Sequence, residues 1–142
     1  MNVLVVLNDP PYGTERSYNG LRLAGSLARR DGVPGLVCHT PLDTAIPNTM
    51  FVSFPGVHGT DLLARAPGVA ASTGSACHAG ESTPSATLLA MGVAPDVARS
   101  AVRLSLGRDT TGAAVALAAD RLVAAWRQAR EEHPVPETSK RE

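Results

Sequence analysis

The chain of 142 residues contains one lysine, Lys140. Schiff-base chemistry needs an amine held in a pocket. Lys140 stands instead in the charged tail "HPVPETSKRE", behind two prolines. Aromatic residues make up 4% of the sequence, too few for a base-stacking surface. The formal net charge is zero, so charge gives no reason to expect nucleic acid or an anionic membrane as a partner. No apolar run is long enough to span a bilayer. "MNVLVVLNDPP" is apolar but has neither a basic leading region nor a small-residue cleavage site, so it reads as a strand rather than a signal peptide. Cysteine occurs twice, at Cys38 and Cys77. Two thiols make no disulfide framework, and they suggest a reducing, cytoplasmic setting.

What is present is enough for a modest core, since 44% of the residues are hydrophobic. "NVLVVL" reads as a buried strand, and "NDPPYG" breaks it. Thr14 is a suitable N-cap for a helix carrying Tyr18, Leu21, Ala24, Gly25 and Ala28 on one face, and Gly32 is placed to end it. Residues 1–32 thus form the first half of a βαβ unit, with no clear parallel partner strand to follow. Residues 33–48 carry three prolines and are expected to be an irregular junction. In "TMFVSFP", Met50, Val52 and Phe54 alternate with Phe51 and Ser53, which predicts a half-buried strand at 50–54. "GTDLLARA" predicts a short helix and "GVAAST" a short strand at 69–72. "TPSATLLAMG" predicts a helix with Thr83 as N-cap, Pro84 in the first turn and Gly92 at the end. "PDVARSA" adds a helical turn or two. Residues 101–106 alternate Val102, Leu104 and Leu106 against Arg103 and Ser105, a strand with one polar face. Residues 111–132 are alanine-rich, with Val115, Leu117, Leu122, Val123 and Trp126, and predict a long amphipathic helix. The domain division is therefore 1–32, the junction 33–48, a main unit 49–132 and a disordered tail 133–142.

Cys77 lies in "STGSACHAG", a run of small residues that packs no core. A thiolate can attack sulfur and hold an extra sulfur as a persulfide, and a mobile loop suits a carrier that must visit donor and acceptor. The competing reading is a small buried hydrophobe, the usual fate of a lone cysteine. His78 can raise the thiolate fraction of Cys77 if it lies close. Arg103, on the polar face of its strand, can grip a carboxylate through a bidentate fork, or can be an ordinary solvated arginine. Arg108, at the turn after the strand, reads as structural. Cys38-His39 and Cys77-His78 invite a zinc reading. Adjacent residues point apart, and the two-to-four-residue ligand gap is missing, so no metal site is expected.

Residues 46–126, through "IPNTMFVSFPGVHG", "PGVAASTGSACHAGE" and "PSATLLAMGVAPDVARSAVRLSLGRDTT", resemble the C-terminal part of cysteine desulfurases, of the class V aminotransferase group. "SACH" also resembles selenocysteine lyases. The resemblance implies that Cys77 matches the persulfide-forming cysteine and Arg103 the arginine that holds the substrate carboxylate. It implies pyridoxal phosphate as the family's cofactor. With the single lysine in the tail, the expectation is that none is retained here. Residues 3–32, through "NDPPYGTERSYNGLRLA", look like the opening of a DsrE-type sulfur-relay protein. That family's sulfur-carrying cysteine has no counterpart here, and Cys38 does not take its role.

The expected fold is α+β. It is the small C-terminal domain of a type I pyridoxal-phosphate transferase, a short and mainly antiparallel sheet with helices, plus an N-terminal strand-helix fragment. The expected function is sulfur transfer through Cys77, without complete desulfurase activity in the chain alone. Expected partners are a sulfur donor or acceptor protein, such as a complete desulfurase, or a second copy of the chain. Nucleic acid and membrane are not expected. Two alternatives stand beside this reading: a non-enzymatic module that binds and regulates a sulfur-relay partner, and a fusion remnant without function.

Overall fold

The two strongest strand signals of the main unit pair with each other. In a computed structural model, which describes residues 32–41, 48–74, 83–107 and 109–132, Thr49–Ser53 (β2) runs antiparallel to Ala101–Ser105 (β3). The register places Phe51 opposite Arg103 and Val52 opposite Val102. A further strand, Val37–Cys38 (β1), pairs antiparallel with β2, giving the order β1-β2-β3. The sheet is thus short and antiparallel, as the sequence leads one to expect.

Side chains alternate between the two faces of a strand, and each face here has its own cover. Met50, Val52, Phe54, Val102, Leu104 and Leu106 point into the larger core. That core is closed by Gly59–Ala64 (α1), through Leu62, and by Gly112–Glu132 (α4), through Val115, Ala119, Leu122, Val123, Ala125 and Ala129. Phe54, Leu62 and Leu122 are fully buried, each worth roughly 1.5–3 kcal/mol relative to exposure. On the opposite face, Ala86–Ala90 (α2) and Pro95–Arg99 (α3) bring Leu88 and Ala98 onto Ala101, with Phe51 and Val93 packed around them.

The elements end where local chemistry says they should. Gly92 has φ +82. The Val93 amide donates to Leu88 O at 3.0 Å and the Gly92 amide to Leu89 O at 2.9 Å, a Schellman termination that favours glycine. Thr111 Oγ1 accepts from the Ala114 amide at 3.1 Å and caps the first turn of α4. The Trp126 indole N–H donates to Pro55 O at 2.9 Å, fastening α4 to the turn after β2. An exposed ion pair, Arg65–Glu132, joins the ends of α1 and α4.

Several expectations are corrected. Residues 33–48 are not wholly irregular: Val33 is buried and Val37–Cys38 belongs to the sheet. Prolines at both ends hide a two-residue strand that tertiary pairing stabilises. The expected strand at 69–72 is reduced to isolated bridge positions at Val69 and Ser72, the latter antiparallel to Arg103, because Gly68 (φ +78) and Gly74 (φ +80) bend the chain on either side. Helix α2 starts at Ala86 with Ser85, not Thr83, at its N-cap. Ser85 is drawn into the interior with extended geometry, which leaves Thr83 and Pro84 outside the helix. Leu117 does not join the apolar face of α4 and is 49% exposed. Two residues from Val115, it lies on the far side of a 3.6-residue turn. The N-terminal fragment up to residue 31, Arg108 and the tail 133–142 lie outside the described residues.

Candidate functional site

β3 turns Arg103 away from the larger core, because the neighbours on either side, Val102 and Leu104, both point into it. Arg103 is exposed, and no ion pair among the described residues engages it. Its backbone is held more firmly than its side chain. The Arg103 amide donates to Ser72 O at 2.6 Å, and the Ser72 amide donates to Arg103 O at 3.3 Å. Ser72 therefore runs alongside Arg103 as a fourth, one-residue rung of the sheet.

Two residues later the chain is anchored again. Gly74 has φ +80, and a Cβ there would lie 2.7 Å from Phe51 Cζ. Only a glycine both adopts this conformation readily and leaves room for the ring. Phe51 stands directly opposite Arg103 on the same face of the sheet. The segment entering 75–82 is thus pinned over the cross-strand pair Phe51–Arg103. Cys77 and His78 fall within 75–82 and lie outside the described residues. Chain length still limits Cys77: three residues beyond Gly74, it can be no more than about 11 Å from it along the backbone.

The same face holds a polar cluster that the sequence does not advertise. His39 follows β1, and its amide donates to Phe51 O at 2.8 Å. Its Nε2 lies 2.8 Å from Ser53 Oγ. The Ser53 hydroxyl donates its single proton to Val97 O at 2.7 Å, so its oxygen is the acceptor toward His39. That assigns the hydrogen of neutral His39 to Nε2. Ser100 Oγ donates to the same Val97 carbonyl at 2.8 Å. Burial pushes the His39 pKa below its ordinary value, since desolvation disfavours the charged ring. Ser53 is 2% exposed, although the strand pattern alone predicts only half-burial. His39 is legible in the sequence merely as half of a Cys-His pair, and Ser53 as an outward position. Cys38 is a free, exposed thiol whose Sγ lies 3.6 Å from Thr40 O. Among the described residues no three His, Cys, Asp or Glu side chains come together as a metal site would require.

The described part, a three-stranded antiparallel sheet with α1 and α4 on one face and α2 and α3 on the other, is similar in fold to solved NifS-like proteins. One solved structure, titled NIFS-LIKE PROTEIN, superposes with a TM-score of 0.64 at 27% identity, covering 80% of this chain and 28% of that one. Another, a NifS-like protein from Rickettsia africae ESF-5, superposes with a TM-score of 0.57 at 18% identity and shows the same fold. The sequence relationship is more specific: this chain is related to cysteine desulfurases, through their C-terminal part. A cysteine desulfurase of Frankia sp. (strain EuIK1) is 38% identical over 108 residues, 76% of this chain and 26% of the relative. The IscS cysteine desulfurase of Anaeromyxobacter sp. (strain Fw109-5) is 37% identical over 128 residues, 90% of this chain and 28% of the relative. The chain spans about a quarter of the length of these curated relatives. The longer match takes in residues on both sides of 33–48. No family model matches the chain, and nothing in the comparisons supports the DsrE-type reading of residues 3–32.

Proposed function

We propose that the chain is a sulfur-transfer protein in which Cys77 accepts and passes on a persulfide sulfur. In the proposed step, the Cys77 thiolate attacks the outer sulfur of a donor persulfide. The S–S bond of the donor breaks, its cysteine leaves as a thiolate, and Cys77 holds the new S–S bond, with no net oxidation or reduction. His78 is the nearest residue in sequence able to raise the thiolate fraction. Arg103 would bind a carboxylate only in a site completed by a partner, and takes no part in the uptake of sulfur by Cys77. The observation that carries the reading is the anchoring of Ser72 and Gly74 over Phe51 and Arg103, which tethers the cysteine-bearing segment beside the one exposed cation of that strand. The relationship to cysteine desulfurases supports it.

Pyridoxal phosphate is the cofactor that the family resemblance implies. The residues of this chain do not fit it. The sole lysine is Lys140, and the sheet face bearing Arg103 offers phenylalanine, serine, threonine and histidine but no amine to hold an aldehyde. The sulfur reaches Cys77 ready-made, and its donor is a second protein such as a complete desulfurase. A cytoplasmic setting among reduced thiols belongs to the same proposal. No helix among the described residues is long and apolar enough to cross a membrane.

The test is transfer of radiolabelled sulfur from an active desulfurase charged with labelled cysteine. Peptide mapping should find the label on Cys77, a Cys77→Ser chain should lose it, and a Cys38→Ser chain should keep it. Label confined to Cys38, or absent from a folded chain, overturns the proposal.

A further inference from the structure

Where α3 meets the end of β2, three oxygen atoms are linked in a row. The hydroxyls of Ser53 and Ser100 both donate to Val97 O, at 2.7 and 2.8 Å. A hydroxyl has one proton, and a carbonyl oxygen has two lone pairs. Both protons and both Val97 lone pairs are therefore used inside the cluster. Acceptor capacity is left over. Ser53 Oγ uses one of its two lone pairs on His39 Nε2. Ser100 Oγ accepts no hydrogen bond among the described residues. Ser53 and Ser100 are 2% and 5% exposed, so this surplus is largely withdrawn from bulk water.

All three residues line one cavity of about 410 Å³, within the range of roughly 300–1,000 Å³ common to small-molecule pockets. Val37, Pro55 and Val57 give it apolar walls. Asp96 adds an exposed carboxylate, bonded to Arg99 at 2.7 Å. A ligand group that accepts hydrogen bonds, such as a carboxylate or a ketone, finds neither hydroxyl proton free. A group that donates them finds acceptors on Ser53 and Ser100 and an anion beside them. An ammonium carries three donors and no acceptor, so its head matches this surplus, and an apolar body attached to it matches the walls. We propose that this cavity binds a small primary ammonium ion with an apolar body, an alkyl- or arylammonium, through Ser53 Oγ and Ser100 Oγ. Asp96 draws the cation to the mouth. The inference does not depend on Cys77 or on the sulfur chemistry.

Titration of the full chain, followed by amide NMR, tests it with benzylamine as the probe near neutral pH, where the amine is protonated. Saturable shifts should appear at the amides of Val37, Val57 and Ser100. Benzyltrimethylammonium keeps the charge and the ring but has no N–H, and benzoate keeps the ring with an acceptor head. Each should bind about tenfold more weakly or worse. Ser100→Ala removes one acceptor and should weaken benzylamine by about tenfold, with the amides of α4 unshifted as the sign of an intact fold. Val37→Trp leaves every oxygen in place and fills the mouth. It should abolish the saturable shifts, and it keeps the test decisive if Ser100→Ala does not fold. Equal binding of benzoate would assign the cavity to His58, which also lines it, and overturns the proposal. So does equal binding of benzyltrimethylammonium, which would reduce the attraction to the Asp96 charge. Absence of saturable shifts, or unchanged affinity in a folded Ser100→Ala or Val37→Trp chain, overturns it as well.

Discussion

At the scale of single residues, the candidate site depends on two contacts. Gly74 combines a left-handed backbone with van der Waals contact against the Phe51 ring. Gly74→Ala adds a methyl that meets the ring and forces an unfavourable φ, so it should destabilise the chain by about 1–3 kcal/mol. Urea unfolding would measure this. A loss much larger than this range would mean that the contact supports more than the entry to 75–82, and no loss would mean that Gly74 does not hold the position described. His39 is the second contact. Its pKa is lowered by burial, so the unfolded chain binds a proton that the folded chain resists. Its contribution is therefore intact above the ordinary histidine value of about 6.5 and declines as pH falls through that value toward the depressed one. The urea midpoint should be lower at pH 5.5 than at pH 8, and His39→Gln should flatten the difference. The Ser53 bond survives protonation, because Nε2 is already the donor. The decline should accordingly be gradual rather than a collapse.

At the scale of elements, the alternation in 49–54 and 101–106 made β2, β3 and the orientation of Arg103 legible in sequence, since period-two patterns follow directly from strand geometry. The long helix is legible from its 3.6-residue periodicity and alanine content, although its buried face owes as much to Ala119, Ala125 and Ala129 as to the larger residues. Alanine carries little pattern signal, so the sequence does not show that Leu117 stands off that face. β1 was not legible: two residues are too few to show a period, and its pairing comes from β2. The Gly74–Phe51 contact joins residues far apart in sequence and leaves no local trace beyond the glycine itself. The packing of α1 against α4 rests on Leu62 and Leu122, both fully exclusive of solvent. Leu62→Ala should destabilise by about 2–5 kcal/mol, read as a shift in urea midpoint with an unchanged slope. A cost below about 1 kcal/mol would show that the site can collapse around the missing atoms and that α1 is a peripheral element.

At the scale of the whole molecule, the chain is similar to cysteine desulfurases over about a quarter of their length, and its described residues supply an antiparallel sheet with an exposed arginine on one face. The sheet face around Arg103 has partial cover. α2 and α3 close it at Ala101 and Ser53, while Arg103, one rung further along, is left in solvent. Among the described residues nothing closes over Arg103 to exclude water, and a bidentate grip gains most where water is excluded. Sulfur delivered as a protein persulfide brings no free carboxylate to it either. Arg103→Ala should therefore leave the rate of sulfur uptake by Cys77 within about twofold. It should also change stability by no more than about 0.5 kcal/mol, as expected for an exposed position. Both are measured on one sample, by labelled-sulfur transfer and by urea unfolding. A loss of uptake beyond tenfold with stability intact would place Arg103 in direct contact with the donor. The sulfur-transfer site would then lie on this sheet face, complete within the chain, rather than being shared with a partner.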